Sequence, residues 1–433
     1  MKKLLALLLS LAMLLTATIT LAEEVILNES GTVDNPEVIV AGENELIFWS
    51  LFGGGEGNFM EEIVQAYNAT NPAMTVRNVM LEWGEYYTKL MTAVAVGKGP
   101  DIGISHVAKL PELYDQGVVV AMDKFAEAAG VDWSQINPTT LGAATIDGSI
   151  YAFPIDTHAE VFFYNREILE DCGFLEPGED LAPPNDAEGF IAYMLEMKEA
   201  LPEDVYPIAF STNGDDPYRL WWALYFQMGG APIITEDLEI TFEKEKVVAS
   251  LEYMKRWYDE GLIPINLEDF YGFFMSARSA ATFISGVWCT SSLEAIDGFR
   301  FGVLELPTLF EKNAQWGDSH TFILPVKPNA NETRMVEAMK FMDFMSNNGS
   351  VTWARAGHVV ANINVLNSEE FAAIPYRSDY AVVADHVVFY EPTPYTYPIK
   401  DALIRQIDAF LAENQTAEET YDNIVEEIES IIF

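Results

Sequence analysis

Apolar and polar positions change period in blocks along the chain. Glu45 to Ser50 (ELIFWS) is a short apolar run of strand type, followed by the turn-rich Gly53-Gly54-Gly55-Glu56-Gly57. Phe59, Ile63 and Tyr67 then recur at i, i+4 and i+8, the spacing of one helical face. Strand-like Thr75 to Leu81 comes next, and Tyr87, Leu90, Met91 and Val94 mark the inner face of a second helix. Pro100 to Ser105 (PDIGIS) reads as a third strand. Strands separated by helix-length segments need crossover connections, so the pattern predicts α/β structure on a parallel sheet.

A second region follows the same logic. Ile150 to Pro154 and Val161 to Tyr164 are predicted strands, Asn185 to Leu201 a helix, and Tyr206 to Phe210 a strand. Helices are predicted for Arg219 to Met228 and Val247 to Gly261, and the strand Ala281 to Ile284 leads into Gly286-Val287-Trp288. Two α/β lobes are implied. In the tail, Glu332 to Met345 is helical, with Asn347-Asn348-Gly349 as its expected stop. Thr416 and Glu419 form a capping-box pattern opening a last helix with Tyr421, Ile424, Val425 and Ile428 inside. No internal repeat, low-complexity tract or long linker interrupts this order.

The ends and the charge set the compartment. Met1-Lys2-Lys3 and the apolar run Leu4 to Ile19 have the build of a signal peptide, with cleavage expected after Ala22. Residues 1–22 are therefore expected to leave, and 23–44 to form an irregular leader. Cys172 and Cys289 are the only cysteines, so no lipid-accepting cysteine follows the signal, and an exported, periplasmic or cell-surface protein is expected. Nothing in their spacing demands a disulfide, and two separate thiols fit as well. With 67 acidic against 24 basic residues the chain carries a net charge of −43. A field of that sign repels nucleic acid, anionic membranes and polyanionic substrates, which points to a neutral ligand.

Catalytic signatures are lacking. There is no Walker loop, GxSxG elbow or HExxH, and the five histidines (His106, His158, His320, His358, His386) are widely spaced, so neither a metal nor a cofactor is expected. Glu82, Asp101, Asp156 and Asp318 fall at predicted strand ends, where paired carboxylates could serve a glycosidase. So many acids place several there by chance, and a non-enzymatic binder ranks above an enzyme. Aromatic placement is the stronger signal. Trp49, Trp83, Tyr218, Trp221, Trp222, Trp288, Trp316 and Trp353 fall at strand ends, turns or helix starts beside polar residues. A pyranose has flat C–H faces fringed by hydroxyls, and a site for it needs aromatic platforms and hydrogen-bonding groups. About half of these aromatics are expected to be core.

Several ordered motifs carry a family resemblance: EWGEYYTKLMTAVAVGKGPDI (Glu82 to Ile102), GSIYAFPIDTHAEVFFYNREILEDCGF (Gly148 to Phe174), SARSAATFISGVW (Ser276 to Trp288), GDSHTFILP (Gly317 to Pro325) and WARAGHVVAN (Trp353 to Asn362). From Leu46 onward the chain resembles the sugar-binding extracellular solute-binding proteins of ABC importers, the family that includes maltose-binding proteins. The resemblance implies a periplasmic-binding-protein-like type II fold: two lobes, a hinge and an interlobe cleft. It places residues 45–153 and 307–355 in the first lobe and 156–300 and 360–433 in the second. Crossings are implied near Pro154-Ile155, Val303 to Leu306, and Gly357-His358. The implied cleft residues are Trp49, Phe52, Trp83, Ser105, His106, Asp156, Thr157, His158, Tyr218, Trp222, Trp288, Asp318, Ser319, His320 and Trp353. The sequence departs from the family's pattern at the last hinge, where Val360 and Ala361 stand in place of the usual proline after Gly-His. The expectation is a monomer that closes on a carbohydrate and is recognised by an importer's membrane subunits. A polyamine, a peptide or a phosphorylated polyol is the alternative ligand, and a secreted glycosidase the alternative activity.

Overall fold

The computed structural model describes residues 25–28, 31–267, 269–328 and 331–433, and the expected signal peptide lies outside them. The first three strands form as their pattern predicts. Glu45–Ser50 lies between Thr75–Met80 and Ile102–His106, parallel to both, and Gly54–Ala69 and Trp83–Ala95 are the crossover helices. Leu46 to Ser50 are all buried because helices cover both faces of a parallel sheet, which explains the unbroken apolar run. Two strands complete this five-stranded sheet: His320–Ile323, antiparallel beside Ile102–His106, then Ala152–Pro154, antiparallel to His320–Ile323 and so running with the first three. The leader joins its edge, where Val33 N–H donates to Met80 O.

The second sheet is organised by one ten-residue strand, Asp156–Asn165, buried along its whole length. Ala280–Gly286, Phe301–Glu305, Gln315–Asp318 and Val359–Val360 all pair antiparallel with it at successive registers. Tyr206–Ala209 adds a parallel strand beside Ala280–Gly286. The mixed sheet and its helices pack over cores separate from that of the first sheet, so the fold is two α/β lobes. Among the described residues no helix is long and apolar enough to cross a membrane.

Three expectations need correction. The returning segment does not join the first lobe at residue 307: Leu309, Ala314 and Trp316 belong to a second-lobe core, and the lobe changes between Asp318 and His320. Pro307 to Ala314 has no periodic apolar pattern that could have located this step. Val360, Ala361 and Phe371 in turn pack into the first core, so the chain returns there beyond residue 360. Nor does Gly349 end its helix. Glu332–Phe344 passes through the π-turn Met345–Gly349 into Ser350–Ala356, and Gly349 keeps a right-handed φ of −86°. It is small for a packing reason, since a Cβ there would come within 2.8 Å of Ile63 Cγ2.

Candidate functional site

The C-terminal ends of the first-lobe strands face the second lobe, the usual place for a site in open α/β sheets. A cleft of about 430 Å³ lies there, of the size that holds small ligands. Leu51, Gly53, Glu56, Trp83, His106 and Ala108 line it from the first lobe, and His158, Asp318 and His320 line it where the chain crosses. The second lobe supplies Asp215, Asp216, Arg219, Tyr271, Trp288, Trp316, Tyr390, Tyr397 and Lys400. Trp83 begins its helix directly after the second strand and is 46% exposed, so an aromatic face stands at the rim. Trp288 sits in the turn leaving Ala280–Gly286 on the opposite wall.

Charge in the cleft is mostly negative and partly neutralised from within. The Arg219 guanidinium lies 4.3 Å from the Trp316 ring centre and 5.3 Å from that of Trp288, and ion-pairs with Asp216 (3.3 Å) and Glu160 (3.8 Å). Burial and the neighbouring Asp216 raise the Glu160 carboxyl well above its ordinary range, against the pull of Arg219. Lys400 pairs with Asp215. Burial raises Asp318 to about 6, although its carboxylate accepts from Ser319 N–H (2.8 Å) and Ala108 N–H (3.2 Å). Trp316 Nε1–H donates to Tyr390 Oη (2.7 Å), as does Tyr218 Oη (2.9 Å), which fixes the back wall.

At the crossings, against the cleft, lies a second arrangement around the fully buried Asp156. Trp353 Nε1–H donates to its Oδ2 (2.7 Å) and His320 N–H to its Oδ1 (2.9 Å). Three imidazoles turn Nδ1 toward the same carboxylate: His320 at 2.8 Å, His158 at 3.2 Å and His358 at 3.5 Å. Burial alone would raise the Asp156 carboxyl, but His320, His358 and His158 outweigh it and hold it well below its ordinary range. Burial and the neighbouring His320 lower His158 to about 3. His358 Nε2 is 2.6 Å from Glu56 Oε1. Gly357 sets its approach, because at φ +126° a Cβ would sit 2.1 Å from the Val287 carbonyl oxygen. His106 completes the group, with Nδ1 2.7 Å from Tyr87 Oη. Histidines that are far apart in sequence therefore converge, contrary to the reading from their spacing.

Of the fifteen residues expected in the cleft, Trp83, His106, His158, Trp288, Asp318 and His320 line it. Trp49 and Phe52 are first-lobe core, Phe52 packing edge-on to Trp353 and His320. Ser105 and Ser319 are buried, their hydroxyls donating to the carbonyls of His106 and His320. Thr157 is buried in the ladder with Val359. Tyr218 stands behind Tyr390 rather than in the cleft. Trp222 donates Nε1–H to Val388 O and lines a small apolar recess next door. Asp156 and Trp353 lie behind the lining residues, in the buried part of the cluster. The sequence reading missed Glu56, Arg219, Tyr271, Tyr390, Tyr397 and Lys400, and named Trp316 only as an aromatic. Tyr397 and Lys400 ride on an unforeseen helix, Thr396–Leu411, whose signal was present in Ile399, Leu403, Ile407 and Phe410.

Comparison with known proteins agrees with this architecture. The sequence profile of the bacterial extracellular solute-binding proteins matches residues 62–375. An arabinooligosaccharide-binding protein of Halalkalibacterium halodurans is 26% identical over 146 residues, 31% of this chain and 30% of that protein. The chain thus spans 29–30% of the length of the curated relatives it matches at 26–28% identity. Among solved structures, the GacH receptor of Streptomyces glaucescens, studied unliganded and with acarbose, superposes with a TM-score of 0.77. It is 17% identical and covers 91% of this chain and 99% of its own. A glycerophosphocholine complex of UgpB from Mycobacterium tuberculosis gives a TM-score of 0.78 at 18% identity, over 90% and 99% of the two chains. At such identities these structures establish the shared fold.

Proposed function

The chain belongs to the bacterial extracellular solute-binding protein family, and from that premise we propose that its cleft captures a sugar or short oligosaccharide by closure of the two lobes. One observation carries this reading: indoles line both walls, Trp83 on one and Trp288 and Trp316 on the other, and the carboxylates of Glu56, Asp215 and Asp216 line the same cleft. Indole faces match pyranose C–H faces, and Glu56, Asp215 and Asp216 can accept hydrogen bonds from the hydroxyl fringe. Contacts from both walls give the ligand a higher affinity for the closed form, which is what allows it to shift the equilibrium. The closed form is then the one that the membrane subunits of an ABC importer recognise, and no bond is made or broken. Secretion as a monomer, after removal of the signal peptide, completes this reading.

The acidic lining disfavours a phosphodiester, because Arg219 and Lys400 are already paired with Asp216, Glu160 and Asp215. That same lining supports a second reading, a cationic solute such as a polyamine held by Glu56, Asp215 and Asp216 between the indoles. Thermal denaturation with neutral oligosaccharides, polyamines and glycerophosphodiesters separates the two. A ligand that binds only the native state raises Tm by mass action. A rise with a neutral sugar supports the proposal, and a rise with polyamines alone replaces it.

A further inference from the structure

We propose that Asp156, His158, His320 and His358 form a closed site for a divalent transition metal of the zinc class, stapling the lobe crossings together. One ligand atom from each residue lies within 4.8 Å of all the others, and all four side chains are buried. Two ligands bonded at about 2.0–2.1 Å to a tetrahedral ion stand about 3.3 Å apart. The three imidazole-to-carboxylate separations, 2.8, 3.2 and 3.5 Å, bracket that value, and small ring rotations bring in the wider pairs.

A second observation points to a ligand independently: His358 Nδ1 is buried, faces the cluster and has no hydrogen-bond partner among the described residues. Its other nitrogen meets Glu56 Oε1, the outer carboxylate that commonly fixes the ring of a metal-binding histidine. Trp353 Nε1–H and His320 N–H orient the Asp156 carboxylate in the same way. Three imidazoles and one carboxylate suit zinc-like ions, whereas calcium and magnesium take oxygen-only shells. Asp156 and His158 begin the long strand at the first crossing, His320 begins the strand after the second, and His358 precedes the third. An ion held there ties these segments without depending on what the cleft binds, so the proposal does not rest on the sugar reading.

Full-length protein, treated with EDTA and dialysed, is titrated with ZnCl2 by calorimetry while Tm is followed. One equivalent bound, a rise in Tm, and visible bands of a tetrahedral centre with Co2+ are expected. His158→Gln and His358→Gln should each lose the equivalent, and His386→Gln, away from the cluster, should keep it. Because a cluster variant could misfold, zinc-edge anomalous scattering from crystals of the unaltered chain provides the independent readout, with a peak expected among the four side chains. No stoichiometric binding, binding that survives in both variants, or a peak elsewhere overturns the proposal and leaves Asp156 as the buried counter-ion of its histidines.

Discussion

The cleft and the cluster beside it use the same residue types under opposite conditions of solvent. Trp83, at the rim, is nearly half exposed and donates to no partner among the described residues, whereas Trp353 is fully buried and spends its N–H on Asp156. Asp215 and Asp216 line the cleft wall and pair with Lys400 and Arg219, whereas Asp156 accepts from a backbone amide and an indole and faces three imidazoles. An indole or a carboxylate in water keeps its capacity for an incoming solute. Buried, it has that capacity filled from within, since an unsatisfied polar group in the interior costs about 1–3 kcal/mol. Burial thus separates two indoles of one residue type, Trp83 at the rim and Trp353 within the cluster, whereas Trp316 lines the cleft with its N–H already given to Tyr390.

The largest expected effect lies in the cluster. Asp156→Ala removes the carboxylate that its neighbours surround, and breaking a buried pair in this way costs about 3–5 kcal/mol, read as a lower midpoint in chemical denaturation. An effect under about 0.5 kcal/mol would erase the distinction between cluster and cleft.

Asp101, in the first lobe, provides a smaller and pH-dependent control. Burial would raise its carboxyl, but Arg334, Lys327 and the Ile47 N–H together hold it below its ordinary value. A depressed folded-state pKa stabilises above the unfolded value, about 3.9, and the contribution is lost as pH falls through the folded value. Asp101→Asn should therefore cost about 1–3 kcal/mol at neutral pH and flatten the loss of stability in acid, measured by denaturation across pH. An unchanged acid limb would show that this ion pair does not set it.

At the rim the expectation reverses. Trp83→Ala should change stability by no more than about 0.5 kcal/mol while weakening sugar binding roughly tenfold, about 1.4 kcal/mol, in a calorimetric titration. Loss of stability without loss of affinity would move Trp83 into the class of Trp353. The smallest effect concerns salt. Raising it from about 0.1 to 1 M shortens the Debye length from about 10 to 3 Å, and affinity for a neutral sugar should stay constant. A steep decline would favour the cationic solute.

What could be read along the chain follows from the range of each interaction. The parallel strands and their crossover helices were legible because period and turn residues act locally, and the capping box at Thr416 and Glu419 formed as its spacing implied. Gly349 carried the mark of a helix stop, yet its smallness answers to Ile63, a neighbour invisible in the local sequence. The cleft was half legible. Trp83 and Trp288 follow a strand and a turn, whereas Arg219 and Lys400 are ordinary helix residues until the second lobe folds. The cluster was not legible as a unit, since His320 is 164 residues and Trp353 197 residues from Asp156, and only the crossings unite them.

Saturation-transfer NMR on the protein with a bound oligosaccharide tests the central claim most directly, because it reports which ligand protons lie against protein protons. Strong transfer to pyranose ring C–H protons, sharply reduced in Trp288→Ala, is the predicted result. Transfer absent for every neutral sugar, or unchanged without the Trp288 indole, would contradict it.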